Sequence, residues 1–244
     1  MTAADKPMEG KFMLRNYLIT FVPAFLLGMS NLAAAQVSSV YECEVESEAA
    51  FIDGLNRFYE TMAGGFRPVI LLDDIVWNGS DESTHRLIFA YADYEEYEVF
   101  QGRLADTPEA TLVIESTSEI AECNNERLSL ERGFWGRQGS DLTFIGLVPI
   151  FTSAPAQYAE AFADLANSEI GSSAPGGVGI FESRAGGDGV SFFVTYSAPS
   201  MSALNEWVDA LTQSDDFADF VEEVGEIRSL GSTAQLRRIR TWQP

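Results

Sequence analysis

His85 is the only histidine among the 244 residues. It opens the strand-like stretch 85–92 (HRLIFAYA), beside the turn that follows Trp77. One imidazole can serve as a general acid or base near neutral pH. It cannot build a histidine-rich transition-metal site. A Ser-His-Asp triad would have to use it, and the sequence has no G-x-S-x-G elbow. A Cys-His pair would need Cys43 or Cys123 as a free thiolate. The competing reading of His85 is a polar residue at the end of a hairpin. No metal centre is expected.

The carboxylates are many, so most pairs carry no information. Asp73-Asp74 differs because it interrupts the apolar run 69–77. In a strand, one of two neighbours must face the covered side. A carboxyl buried there would be expected to have a raised pKa and to suit acid-base work; the alternative is a bulge or edge with both groups solvated. Residues 78–82 (NGSDE) resemble a calcium loop in composition only. Arg127, Arg132 and Arg137 recur as Arg237, Arg238 and Arg240 near the chain's end. Guanidinium pairs bidentately with carboxylates, so these arginines could clamp an anion or pair with surrounding acidic helices. Tyr91 and Tyr196 occupy matching places in two strand-like stretches, and Trp77, Trp135, Trp207 and Trp242 add aromatic surface. Packing and a pocket for an aromatic ligand both fit such residues.

The elements that carry these residues come in two copies. Residues 37–135 and 144–242 align at an offset of 107 positions. Phe51, Leu55 and Phe58 fall on Tyr158, Phe162 and Leu165, and Trp135 falls on Trp242. Such repetition fixes architecture before any local reading. In the first copy, a strand at 37–45 leads to a helix whose apolar residues run from Phe51 to Met62. Strands at 66–77 and 85–92, a helical region at 93–120 broken near Thr107-Pro108, and a strand at 126–135 follow. The second copy repeats the order, with strands at 142–151, 176–183, 190–196 and 234–242. Each copy reads β-α-β-β-α-β, the ferredoxin-like order. The expected fold class is α+β: two tandem ferredoxin-like units, residues 36–138 and 139–244, packed sheet to sheet as a pseudo-dimeric α/β barrel. Burial on both faces explains why the strand at 142–151 is apolar almost throughout.

In that order the first and fourth strands are antiparallel neighbours. Cys43 is late in the first and Cys123 just precedes the fourth, so a disulfide is reasonable; two reduced thiols are the alternative. The cysteines, His85 and Asp73-Asp74 all lie in the first copy, where a specialised site is therefore expected.

The formal net charge is −22. The first 35 residues carry three basic and two acidic side chains, including both lysines, so their removal leaves −23. This surface repels nucleic acids and anionic membranes, so neither is an expected partner. Lys11 and Arg15, the apolar stretch 17–29 and Ala33-Ala34-Ala35 have the form of a secretory signal peptide cleaved after Ala35. The expected location is periplasmic or secreted, where a disulfide is permitted.

The repeated unit resembles the dimeric α/β-barrel superfamily, in particular its antibiotic-biosynthesis-monooxygenase-like branch. The likeness lies in order and spacing, most clearly at 207–220 (WVDALTQSDDFADF). There an aromatic turn leads through a polar break to a Phe-rich turn. Members often have Ser-Pro-His at the break, where this chain has Ser214-Asp215-Asp216 and Thr107-Pro108-Glu109. The resemblance implies a pocket between sheet and helices for an aromatic or quinol-like compound. Trp77, Tyr91, Arg132 and Tyr196 are its candidates, with Asp73 and His85 as ionisable neighbours. Haem-degrading members use a helical histidine, and His85 is on a strand, so that role does not carry over. Haem-binding relatives use a histidine in the later half, and this chain has none there; no cofactor is expected. The function implied is small-molecule binding, possible cofactor-independent monooxygenase chemistry included, by a monomeric pseudo-dimer. The alternative is a non-catalytic binding or interaction protein that keeps only the fold.

Overall fold

The computed structural model describes residues 37–244 except Ser80. The expected signal peptide lies outside the described residues. The first copy forms β1 (Val37–Val45), α1 (Glu48–Thr61), β2 (Val69–Trp77), β3 (His85–Tyr91), α2 (Tyr94–Ala105), α3 (Pro108–Ser118) and β4 (Ala121–Gly136). The second forms β5 (Phe144–Thr152), α4 (Pro155–Asn167), α5 (Glu169–Ser172), β6 (Gly177–Gly186), β7 (Phe192–Ala198), α6 (Met201–Thr212), α7 (Asp215–Val224), β8 (Arg228–Leu230) and β9 (Ala234–Trp242). The class is α+β, and each copy has the βαββαβ order.

Local chemistry explains most of the boundaries. Ser47 caps α1 by accepting from the Ala50 N–H, which satisfies one of the otherwise orphaned donors of the first turn. Pro108 and Pro155 start α3 and α4 in the first turn, where a missing N–H costs nothing. On α1, Phe51, Leu55 and Phe58 share a buried face, each contributing roughly 1.5–3 kcal/mol by burial. The helical region expected at 93–120 is two helices, because Pro108 cannot continue the first. β4 starts at Ala121, five residues before the expected start, so Cys123 lies within it. Short α5 and β8 have no clear pattern in the sequence.

All strand pairings are antiparallel. Within the first copy the order is β4-β1-β3-β2, and within the second it is β9-β5-β7-β6. The two sheets do more than face each other. β2 pairs with β9, and β4 pairs with β6, so eight long strands close into one barrel. Closure leaves no long unpaired edge, the usual liability of an open sheet. β8 pairs only with the end of β5.

Each strand therefore has a face toward the barrel interior and a face toward its own helices. On the helix side, Phe51, Phe58, Leu87 and Tyr91 belong to the core of the first unit, and Tyr158, Phe162, Phe192 and Trp207 to that of the second. Ile145, Leu147, Phe193 and Leu236 form a third cluster within the barrel. β5 contributes to both sides, Ile145 and Leu147 inward and Ile150 outward, which accounts for its unbroken apolar sequence. The first unit's inner face is not apolar throughout: Asp73, Arg86 and Arg127 are buried there. No helix among the described residues is long and apolar enough to cross a membrane.

Candidate functional site

Three of the spaces that follow from this architecture lie against the expected site residues. The first lies between the sheet and helices of the first unit. It has a volume of about 320 Å³ and is lined by Tyr41 of β1, Phe51 and Phe58 of α1, Phe89 and Tyr91 of β3, and Phe100 of α2, among others. The rings meet edge-on or tilted. Phe89 lies 5.8 Å from Phe100 and 6.1 Å from Phe58, and Tyr91 lies 5.7 Å from Phe100. These are ordinary separations for favourable aromatic pairs.

Alternation on β3 sends His85, Leu87, Phe89 and Tyr91 to this side and Arg86, Ile88 and Ala90 into the barrel. Tyr91 is 1 % exposed, and its hydroxyl is buried without a hydrogen-bond partner. Burial pushes its pKa up; the nearby Ser39 hydroxyl opposes this without reaching the geometry of a hydrogen bond. Tyr41 differs in that its hydroxyl donates to Glu126 Oε1 at 2.8 Å. Burial and that carboxylate push its pKa up as well. Both phenols are therefore neutral donors at physiological pH. The lining contains no histidine, carboxylate, lysine or arginine among the described residues.

The corresponding space in the second unit is smaller, about 180 Å³, and is walled by Tyr158, Phe162, Tyr196, Trp207 and Phe220 with Arg228 at its margin. Trp207 Nε1 donates to the Ile170 carbonyl at 3.1 Å. Burial pushes the Tyr158 phenol up to about 12, with the Arg228 charge opposing. Burial also raises the pKa of Tyr196.

The third space, about 270 Å³, is inside the barrel. Asp73 is fully buried and does not line it, but its partners Arg86 and Arg238 do. It accepts from Arg86 Nε and Nη2 at 3.0 and 2.7 Å, and from Arg238 Nε. Burial alone would raise the Asp73 pKa, but Arg238 and Arg86 outweigh it and hold the carboxyl below its ordinary value. The sequence expectation of a raised pKa is thus corrected. The group is a charged anchor between β2, β3 and β9, not a poised acid. Asp74, on the opposite side of β2, pairs with Arg237 at 2.8 Å in a largely solvated position.

The six candidates do not meet. Tyr91 is in the first space, Tyr196 in the second and Asp73 at the barrel interior. His85 is buried at the start of β3, with Nδ1 2.8 Å from Thr84 Oγ1 and Nε2 3.5 Å from Glu48 Oε2. It lines none of the three spaces. Trp77 is 67 % exposed at the end of β2, opposite Gln235 of β9. Arg132 pairs with Glu182 on the surface. These last two residues are no part of a pocket. Cys43 and Cys123 face each other across β1 and β4 and form a disulfide, as the strand order implies.

Sequence reasoning passed over Tyr41 and Arg86, and it counted Phe89 among the aromatics without placing it in the pocket. The signal for Arg86 was present in the period-two pattern of β3. The polar Arg127, Ser129 and Glu131 alternate with Leu128 and Leu130 on β4 in the same way.

No protein-family model matches the chain, and no curated protein matches it. Solved structures do match in shape. A protein of Fusobacterium nucleatum named as a candidate monooxygenase superposes with a TM-score of 0.61 at 15% identity, over 85% of this chain and 94% of that one. One of Lactobacillus acidophilus, similarly named, gives 0.61 at 9% identity over 85% and 95%. An anthrone oxidase-like protein gives 0.58 at 12% identity over 86% and 94%. At these identities the likeness is one of fold. Together with strand order and barrel closure, it shows that this chain has the ferredoxin-like dimeric α/β-barrel fold, built as a tandem pair in one polypeptide.

Proposed function

We propose that this protein is exported and binds a small aromatic molecule in the sheet–helix space of its first unit. The observation that carries this reading is the aromatic cavity of about 320 Å³, together with the unpaired buried hydroxyl of Tyr91 in its wall. An unsatisfied buried hydroxyl costs roughly 1–3 kcal/mol, and a ligand carbonyl or phenol oxygen would offset that by accepting from it. The disulfide and the signal-peptide-like leader support export. The domain division at residues 36–138 and 139–244, and a monomeric state, belong to the same proposal. The fused copy supplies the barrel partner that a single-unit protein would need from a second chain.

The matching structures named for monooxygenase and anthrone oxidase favour quinol-like or anthrone-like compounds as ligands, and cofactor-independent oxygenation as the chemistry to test. A second reading is binding without turnover. Its specific support is the lining, which offers the Tyr91 hydroxyl as a free donor, since Tyr41 already donates to Glu126, and no histidine or carboxylate to take up a proton.

Calorimetric titration with 2-naphthol tests the binding. Leu55→Trp, which fills the cavity from α1, should abolish it, and Tyr91→Phe should weaken it by about 1 kcal/mol, the usual worth of one neutral hydrogen bond. Equal binding by wild type and Leu55→Trp would remove this site. Oxygen uptake with anthrone and 1,4-naphthohydroquinone then separates the two readings. Turnover above the Leu55→Trp control supports oxygenation, and its absence alongside intact binding supports a binding protein.

A further inference from the structure

The barrel interior is built differently from the two sheet–helix spaces. Its cavity of about 270 Å³ receives Arg86 from β3, Arg127 from β4 and Arg238 from β9. Arg86 and Arg127 are 3 % and 4 % exposed. Asp73 is shared by two of these cations, and Glu42 accepts from Arg127 Nη1 at 2.8 Å. Glu131 does line the cavity, and it holds no ion pair among the described residues. We propose that this cavity is a binding site for a small organic monocarboxylate with an apolar body.

Four observations point to that ligand class. The first is hydrogen-bonding capacity. A guanidinium carries five N–H donors. Arg127 places one on Glu42, Arg238 one on Asp73, and Arg86 two on Asp73. None of their nitrogens is both buried and unpartnered, so those not bonded to a carboxylate reach accessible space. The second is charge. Three cations share two bonded carboxylates, and with Glu131 protonated a single negative charge on a ligand would complete the balance. Burial raises the Glu131 pKa. Burial thus favours the protonated form of Glu131, and only in that form would it leave the excess positive charge uncompensated and donate to a carboxylate. Arg127 is crowded in turn: burial lowers its pKa, the Arg86 charge lowers it further, and Glu42 alone opposes this. A dianion such as phosphate would overshoot the balance.

The third observation is the rest of the wall. Val69, Leu71, Ile88, Leu147 and Phe181 line the same cavity. They suit an alkyl or aryl body, with guanidiniums fixing only its head. The fourth is pre-organisation. Arg127 stacks on the Phe193 ring, its guanidinium carbon 3.9 Å from the centroid, and Asp73 holds Arg86 and Arg238 in place. Little side-chain entropy remains to be lost on binding, which favours affinity. Arg127, Leu147 and Phe193 also line a second space of about 380 Å³ toward Asn78 and Asp188. The carboxylate head would thus sit at the waist of the barrel.

Calorimetry on the purified protein tests the proposal, with octanoate, octanamide and inorganic phosphate as probes at low ionic strength. Octanoate should bind at least about tenfold more tightly than octanamide, the scale of one charge-assisted hydrogen bond. Phosphate should bind more weakly than octanoate. Arg127→Gln should weaken octanoate about tenfold and leave octanamide unchanged. Equal affinity for acid and amide, tighter binding of phosphate, no octanoate binding, or an unaffected Arg127→Gln would each overturn the proposal. The acid–amide comparison uses the unaltered protein, so it decides even if the variant does not fold.

Discussion

Asp73 and Asp74 are adjacent residues of one type on one strand, yet the structure sets them far apart in energy. The Asp73 carboxyl is fully buried and takes hydrogen bonds from Arg86 and Arg238. In the Asp74–Arg237 pair the side chains are 27 % and 51 % exposed. Removing one partner of a buried pair typically costs about 3–5 kcal/mol, because the remaining charge has no compensation. An exposed pair is worth about 0–1 kcal/mol. Asp73→Asn should therefore cost about 3–5 kcal/mol, a large part of the roughly 5–15 kcal/mol that holds a typical domain together. For a domain of this size that corresponds to roughly 10 °C in Tm. Asp74→Asn should cost about 1 kcal/mol or less. Urea unfolding followed by far-UV circular dichroism measures both. Replacing the whole triad by Asp73→Leu, Arg86→Met and Arg238→Met should recover most of the loss, since no buried charge is then stranded. The pH dependence gives a further check. The Asp73 pKa is lowered in the folded state, so its contribution is complete above the ordinary aspartate value of about 4. It is lost as pH falls through the lower folded value, and Asp73→Asn should lack this acid limb. Equal costs for Asp73→Asn and Asp74→Asn would refute the reasoning and mean that cavity water solvates the guanidiniums.

Three other outcomes are expected. The Cys43–Cys123 bridge closes a loop with a sequence separation of 80, so replacing both cysteines by alanine should lower stability by about 2–4 kcal/mol. Thiol labelling of the unfolded protein without reductant should find no free cysteine. Gly146→Ala would put a Cβ 2.1 Å from the Tyr196 ring; the ring must move, at a cost of about 1–3 kcal/mol, with a change in the near-UV tyrosine signal. Trp242 Nε1 donates to Asn56 Oδ1 at 2.9 Å, tying the last strand to α1. Asn56→Leu should cost about 1–2 kcal/mol by leaving that donor unpaired, read as a lower unfolding midpoint with an unchanged m-value.

Much of the fold was legible in the sequence because it rests on local signals repeated twice. The 107-residue offset, the βαββαβ order and the helix starts at Ser47, Pro108 and Pro155 depend on periodicity and capping. The disulfide followed from strand order alone. The candidate site was less legible. Tyr91 and Tyr196 do wall cavities, each in its own unit. Trp77 and Arg132 were grouped with them on residue type, but both are at the surface. An exposed strand end and a buried one can have the same composition.

Taken by itself, the sequence determined that each strand has two distinct faces and that two similar sheets must cover one another. Period-two alternation separates Arg86 from Leu87 and Arg127 from Leu128. It does not say which face meets helices and which meets the other sheet. Only tertiary structure decided that, by pairing β2 with β9 and β4 with β6 and so enclosing the inner faces in a barrel. The same closure brought Arg238 to Asp73 across a separation of 165 residues. Burial favours a neutral carboxyl and an adjacent cation favours a charged one. The sign of the Asp73 shift therefore depended on a long-range contact that no local pattern contains.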